Sequence, residues 1–326
     1  MTATFRPGFP RLLGDVGGTN ARWAWQAQPG DAPTRALTLA ARDHASIGES
    51  IAAYLRQQAL PAPCEVAFGI ATAVTGDAVR MTNHAWDFSI AALQRELGVQ
   101  RLLVLNDFEA LAHAVPALGA HERRCVGGPV EGAPGTALGV IGPGTGLGVS
   151  GLLPDGRGGW RVVVGEGGHV TLAPSNAREA SLLARLRERF GHVSAERACS
   201  GPGLVNLYEA ACMLDGVAAR ALDPAQVLTQ ALDGTDAQCA DALTAFASLL
   251  GNVAGNLALT LGARGGVVIG GGIVPRLGDR FAQLPFRERF EDKGRFRGYL
   301  EAIPTWVITA EAPALLGAAR ALDEMA

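Results

Sequence analysis

Hydrophobic and polar positions along this chain follow two rhythms: short apolar runs cut by glycine, and longer runs at helical spacing. Residues 11–16 form an apolar run that Gly17-Gly18-Thr19-Asn20 breaks and residues 21–25 resume, which predicts a β-hairpin. Residues 47–60 carry a helical pattern that Pro61 and Pro63 end. Strands are expected at 65–71 and 77–82, a helix at 90–97 stopped by Gly98, and a buried strand at 102–105. A further helix should follow Asn106-Asp107 and run to about Val115, where Pro116 interrupts it.

Beyond a Gly- and Pro-rich stretch at 127–135 the opening pattern returns. An apolar run at 137–141 meets the turn Gly142-Pro143-Gly144-Thr145-Gly146, and residues 147–153 form the next strand. Two strand, Gly-Thr turn, strand units about 125 positions apart suggest two related lobes. The later part is richer in helix, at 177–190, 203–213, 224–232 and 236–261. A strand at 265–269 runs into Gly270-Gly271-Gly272, a late strand is expected at 305–309 and a last helix at 312–325. Strands mixed with helices in both halves define an α/β class.

Length and composition narrow the picture. The 326 residues correspond to roughly two domains of about 150 residues each. A 48% hydrophobic, 18% charged composition suits a globular chain rather than a disordered one. The net charge of −3 argues against a general nucleic-acid or membrane-surface binder. Backbone N–H groups can still hold a phosphate locally. Lys293 is the only lysine, so a Gly-x-x-x-x-Gly-Lys-Ser/Thr phosphate loop is excluded. Cys64, Cys125, Cys199, Cys212 and Cys239 form no Cys-x-x-Cys pair, a pattern of reduced structural thiols in the cytosol. Residues 1–10 hold no apolar stretch of signal-peptide length, and no run of about 18 apolar residues is apparent, so no membrane span is expected.

Three glycine-rich strand ends are candidates for chemistry. In Gly14-Asp15-Val16-Gly17-Gly18-Thr19-Asn20, the turn can aim several N–H groups at one phosphate, and glycine both permits positive φ and lets the phosphate come close. Thr19 adds a hydroxyl, and Asp15 offers a carboxylate to a hydrated Mg²⁺. A plain hairpin turn with a capping Asp reads equally well from these residues alone. Gly142 to Gly148 misses the Gly-x-Gly-x-x-Gly spacing because Leu147 and Val149 stand where a third glycine is needed, so the dinucleotide fingerprint is absent. The segment from Gly265 to Pro275 is an apolar strand ending in three glycines, as buried strands often do.

Together, and in this order, the three segments resemble the actin-like ATPase superfamily. There, two hairpins from opposite lobes grip the ATP phosphates and a third Gly-rich segment lies beside the adenosine. Further stretches narrow the resemblance to the bacterial glucokinase family: Met81-Thr82-Asn83-His84, Leu105-Asn106-Asp107-Phe108, Gly165-Glu166-Gly167-Gly168-His169, Glu196-Arg197-Ala198-Cys199-Ser200-Gly201-Pro202-Gly203 and Glu291-Asp292-Lys293-Gly294-Arg295-Phe296. The similarity runs from about residue 12 to about residue 317.

This resemblance implies a two-lobed actin-like (ribonuclease H-like) α/β fold with an interlobe active-site cleft. The small domain would comprise residues 1–116 and 311–326, and the large one residues 117–310. It implies an ATP- and Mg²⁺-dependent, cytoplasmic kinase of glucose, a homodimer, with no nucleic-acid or membrane partner. Asp107 would take the proton from the sugar 6-hydroxyl as that oxygen attacks the γ-phosphate. Its alternative role is that of an N-cap on the following helix. Asn83, Asn106, Glu166, His169 and Glu196 would join Asp107 in holding the sugar, and Asn106 could both donate and accept. Asp15, Gly17, Gly18, Thr19, Asn20, Gly144, Thr145, Gly271 and Gly272 would hold ATP, with Asp15 reaching Mg²⁺ through water. Glu166 and His169 also have a metal-like i, i+3 spacing. In the related ROK kinases a His in a similar motif binds zinc with a cysteine cluster; no such cluster follows His169, and no structural zinc is expected. Ala73 stands where the family usually has Pro. A kinase for mannose, fructose or an amino sugar is a second reading, and a non-catalytic sugar sensor a third.

Overall fold

The computed structural model describes residues 8–81 and 84–324. The chain divides into two compact units, one formed by the chain up to Leu118 plus the segment from Ala310, the other by Gly119–Thr309.

The first unit is built on a five-stranded sheet of β1 (Arg11–Val16), β2 (Asn20–Gln26), β3 (Thr34–Ala40), β4 (Glu65–Ile70) and β7 (Arg101–Asn106). A separate two-stranded ribbon of β5 (Ala78–Arg80) and β6 (Asp87–Ser89) lies between β4 and β7 in sequence. The order across the sheet is β3-β2-β1-β4-β7, antiparallel over the first three strands and parallel from β1 to β4 to β7. Leu12 and Val16 of β1 point into one core with Ile47, Ile51 and Tyr54, which lie along one stripe of the helix Ile47–Gln57. Gly14 lies on that same face, where the Trp23 indole and the Phe68 Cβ occupy the space a side chain would need. Leu13 points to the opposite face and packs with Ala67, Leu315, Ala318 and Leu322 beneath the helix Pro313–Glu324. That helix lies against the helix Asp107–Ala114 so closely that a Cβ on Gly317 would collide with the Ala110 carbonyl.

The second unit repeats the plan. Its six strands are β8 (Arg123–Gly127), β9 (Leu138–Pro143), β10 (Leu147–Pro154), β11 (Trp160–Val163), β12 (Gly266–Ile269) and β13 (Thr305–Ile308). The order is β11-β10-β9-β12-β13-β8, again an antiparallel three-strand meander joined to parallel strands, with β8 added antiparallel at the edge. The repeat seen in sequence is therefore a repeat of strand order. The β12 and β13 runs Gly-Val-Val-Ile and Thr-Trp-Val-Ile are buried throughout, as expected of parallel strands covered on both faces.

One expectation needs correction. The helix Ala237–Leu261 is long and apolar enough, by length and composition, to cross a membrane, although no such run was anticipated. Its small residues dilute the pattern. In the structure 78% of its most apolar window is buried, and its Leu243, Phe246, Leu250 and Ala254 form part of the second unit's core. Strands β3, β6, β8 and β11, and the short helices between Val274 and Glu301, were not anticipated either. The strand expected at 77–82 covers only Ala78–Arg80, and Thr82 lies outside the described residues.

The Gly317 contact yields a test. Gly317→Val should lower the stability of the full chain by about 1–3 kcal/mol through overpacking. Chemical denaturation measures it, and a midpoint equal to wild type would contradict the close helix contact.

Candidate active site

In the first unit, β1 ends and the chain reverses through residues 17–19, with the Gly17 N–H donating to the Asn20 carbonyl at 2.9 Å. Thr19 and Asn20 are exposed at this tip, and the Thr19 carbonyl accepts from the Ala41 N–H at 2.9 Å. Asp15 stands just below, opposite Arg22 on β2 and Gly69 on β4. It shares the sheet face of Leu13, because strand side chains alternate. Burial pushes its carboxyl above the usual range, and Arg22 works against that shift.

Asp107 follows β7 on the same face. Gly69 makes this possible: a Cβ there would lie 2.9 Å from the Ala110 Cβ and 3.2 Å from the Asp107 Cα. Asp107 is the first residue of its helix, and the cap is Asn106 instead. The Asn106 Oδ1 accepts from the Phe108 and Glu109 N–H groups at 2.9 and 3.3 Å, and its Nδ2 donates to the Thr72 carbonyl at 3.1 Å. This corrects the expectation for Asn106. Its oxygen is occupied by the helix end, so what it retains for a ligand is the second N–H. The Asp107 Oδ1 accepts from the Phe108 N–H at 2.9 Å. Burial, and next the charge of Asp15, push its pKa up to about 6, while the hydrogen bonds from Phe108 and Asn106 oppose the rise. Asn83 lies outside the described residues.

In the second unit the tip Gly144-Thr145-Gly146 joins β9 to β10 and is closed by the Gly144 N–H donating to the Gly146 carbonyl at 2.8 Å. Three segments converge on it. The Glu196 Oε2 accepts from the Leu147 N–H at 2.9 Å, and it fills the space where a Gly146 side chain would stand. Gly168, from the 3₁₀ turn Gly167–His169, abuts the Leu147 carbonyl with no room for a Cβ. Gly271, at φ +77°, packs on the Pro143 carbonyl in the same way. Glu166 and His169 project outward with side chains 67% and 60% exposed, the Glu166 Oε2 and His169 Nε2 4.0 Å apart. A short ladder ties their segment to that of Glu196: Ala195 N–H to Val170 carbonyl at 2.9 Å and Leu172 N–H to Val193 carbonyl at 3.0 Å.

Thus Asp15, Gly17, Thr19, Asn20, Asn106 and Asp107 belong to the first unit, with Gly18 in the same turn. Gly144, Thr145, Glu166, His169, Glu196, Gly271 and Gly272 belong to the second. Of the two properties expected of these glycines, positive φ and room for a phosphate to approach, the first needs correction. Gly17, Gly144 and Gly272 do not use positive φ; of the phosphate-candidate glycines described, Gly271 does. A Cβ on Gly144 or Gly272 would meet no protein atom within 4 Å, and one on Gly17 only the Asn20 carbonyl at 3.7 Å. The fold does not need glycine there, whereas it does need Gly168 and Gly271, which meet backbone; Gly146 leaves room for the Glu196 carboxylate. Sequence reasoning missed Gly69 and Leu147: the first is a lone glycine inside an apolar strand, and the second acts through its backbone.

The geometry defines a class first. A structure of a glucokinase from an Antarctic psychrotroph matches with a TM-score of 0.87 at 34% identity, over 97% of this chain and 99% of that one. A ROK family glucokinase from Streptomyces griseus, solved in complex with glucose and AMPPNP, matches in fold with a TM-score of 0.64 at 19% identity, over 95% and 98%. The fold is that of the actin-like ATPases. The glucokinase family model matches residues 12–325. A curated glucokinase of Aromatoleum aromaticum is 57% identical over 316 residues, 97% of this chain and 95% of that protein. The chain belongs to the glucokinase family.

The Asp107 environment predicts a pH-dependent stability difference. Its folded pKa of about 6 exceeds the unfolded value of about 3.9. The folded state thus binds the proton more tightly. The stability this lends is complete below the unfolded pKa and is lost as pH rises through about 6. Asp107→Asn cannot ionise, so at pH ~8 it should resist denaturant better than wild type, by on the order of 1–3 kcal/mol. The gap should close by pH ~4. An equal gap at both values would contradict the assignment.

Proposed function

We propose that this chain transfers the γ-phosphate of ATP to the 6-hydroxyl of glucose, with Asp107 as the general base. The observation that carries the proposal is the Asp107 carboxylate, fixed at a strand-to-helix junction with a pKa of about 6. A base raised toward neutrality accepts a hydroxyl proton more readily than an ordinary carboxylate, yet remains mostly ionised at pH ~7. In the proposed step the 6-hydroxyl oxygen attacks the γ-phosphorus as its proton passes to Asp107. The bond from the γ-phosphorus to the bridging oxygen breaks, and ADP leaves.

Asn106, Glu166, His169 and Glu196 would hold the sugar, together with Asn83 from the resemblance. Asn106 contributes its free N–H. Glu166 and His169 are open to solvent and can pair with hydroxyls as acceptor and donor. Glu196 keeps one oxygen on the Leu147 N–H and offers the other. A sugar held at several hydroxyls is discriminated from its epimers, because an inverted hydroxyl leaves a polar partner unpaired.

The phosphates would lie against the glycines that the fold itself does not require, Gly17, Gly144 and Gly272, together with Gly18, Thr19, Asn20, Thr145 and Gly271. There a missing Cβ leaves room for an anion to reach backbone N–H groups. The ATP analogue bound by the Streptomyces griseus relative supports ATP as donor. The Asp15 carboxylate is an oxygen donor of the kind that suits Mg²⁺ through water, and a bound cation would favour its ionised form against the burial that opposes it. Bound there, Mg²⁺ would neutralise charge on the phosphates. The proposed setting is a cytoplasmic enzyme of glycolysis, working as a homodimer on the family resemblance.

Purified protein with ATP and Mg²⁺ should form glucose 6-phosphate faster than it phosphorylates mannose, fructose or N-acetylglucosamine at equal concentration. Asp107→Asn should bind glucose within about tenfold of wild type by calorimetry while losing most turnover. Preference for another sugar would overturn the substrate, and equal loss of binding and turnover would overturn the base.

A further inference from the structure

The segment Glu291-Asp292-Lys293-Gly294-Arg295-Phe296 has no part in the reaction as proposed, yet it holds the chain's single lysine. The Lys293 Nζ donates to the Asn252 carbonyl at 3.1 Å and to the Asn252 Oδ1. The Asn252 Nδ2 in turn donates to the Ala173 carbonyl at 3.1 Å. One helical turn away a second relay runs alongside. The Arg289 Nε donates to the Ser248 Oγ at 3.2 Å, and that hydroxyl donates to the Glu179 Oε1 at 2.5 Å. The Glu179 Oε2 accepts from the Ser175 N–H at 2.6 Å. Arg289 and Lys293 are four residues apart, as are Ser248 and Asn252 on the helix Ala237–Leu261, so both relays cross the same face of that helix.

This seam is tight and buried. Glu179, Ser248 and Asn252 are 2%, 4% and 9% exposed. Gly251 and Gly255 have no room for a Cβ because the Phe286 and Phe290 carbonyls press on them. Buried polar groups of this kind are costly to leave unpaired, so removing one link displaces its neighbours. Both relays end on residues 173–175. Those residues continue from Val170 and Leu172, the two members of the ladder to Val193 and Ala195 that sets His169 beside Glu196.

We propose that Lys293 and Asn252 are positioning residues for the sugar: through Ala173 they hold the segment that carries Glu166 and His169 in register with Glu196. The inference rests on the assignment of those three residues to the sugar. No group in the relay belongs to the phosphate-binding set, so its loss should fall on glucose and spare ATP.

The test compares Lys293→Met, Lys293→Arg and Asn252→Ala in the full chain. Lys293→Met and Asn252→Ala should each raise the glucose KM and the calorimetric glucose Kd about tenfold or more, with the ATP KM within about twofold of wild type. Because the links act in series, the double variant should be little worse than the worse single one. Lys293→Arg, which keeps a cation at this place, should recover part of the loss. Glucose affinity unchanged in a folded variant would overturn the inference, as would equal losses for glucose and ATP. Should Lys293→Met not fold, Asn252→Ala carries the same comparison; failure of both to fold would contradict a role confined to the sugar segment. A wild-type protein that neither binds nor phosphorylates glucose would instead overturn the functional reading beneath.

Discussion

The placement of Asp107 in the first unit depends on the absence of a side chain at Gly69. A Cβ there would press on the backbone of Asp107 and on Ala110, so the helix Asp107–Ala114 would have to move away from β4. With that helix in place, Asn106 caps it and Asp107 is carried into a half-buried position on the Asp15 face of the sheet. Packing thus sets the electrostatics. The Asp107 carboxylate is desolvated because the helix sits close, and the charge of Asp15 adds to the difficulty of ionising it.

The second unit solves a different problem with similar means. Its hairpin tip is held by a carboxylate, Glu196 on the Leu147 N–H, rather than by a neutral group. That bond joins a residue proposed for the sugar to a turn proposed for the phosphates, and Gly146 keeps the approach open. Behind it the ladder of Val170, Leu172, Val193 and Ala195 and the two relays over the helix Ala237–Leu261 keep exposed ligands on a rigid base. A site of solvent-facing side chains gains precision from buried groups behind it.

Much of this plan was legible in the sequence. The strand, Gly-Thr turn, strand repeat corresponds to two sheets of matching strand order, because each hairpin is local and its glycines mark the turn. The helices 90–97 and 177–190 were legible to the residue; Gly98 stops the first, and in the structure Ser89 and Asn176 cap their starts. What escaped was non-local. Strand β3 is largely exposed at a sheet edge and shows little apolar alternation. The need for Gly69 is created by a helix some forty positions on, and the use of Asn106 as a cap by the backbone ahead of it. Glycine clusters marked the hairpin turns, and of the two properties expected of them it is room, rather than positive φ, that sets Gly17, Gly144 and Gly272 apart.

The most direct test of the central claim is the pH dependence of kcat/KM for glucose, which reports the essential base in the free enzyme. A base with the pKa of Asp107 predicts an acid limb with half-maximal activity near pH 6. A profile that stays flat down to about pH 4.5, where an ordinary carboxylate would still be ionised, would contradict the account of Asp107 as a buried base raised toward neutrality.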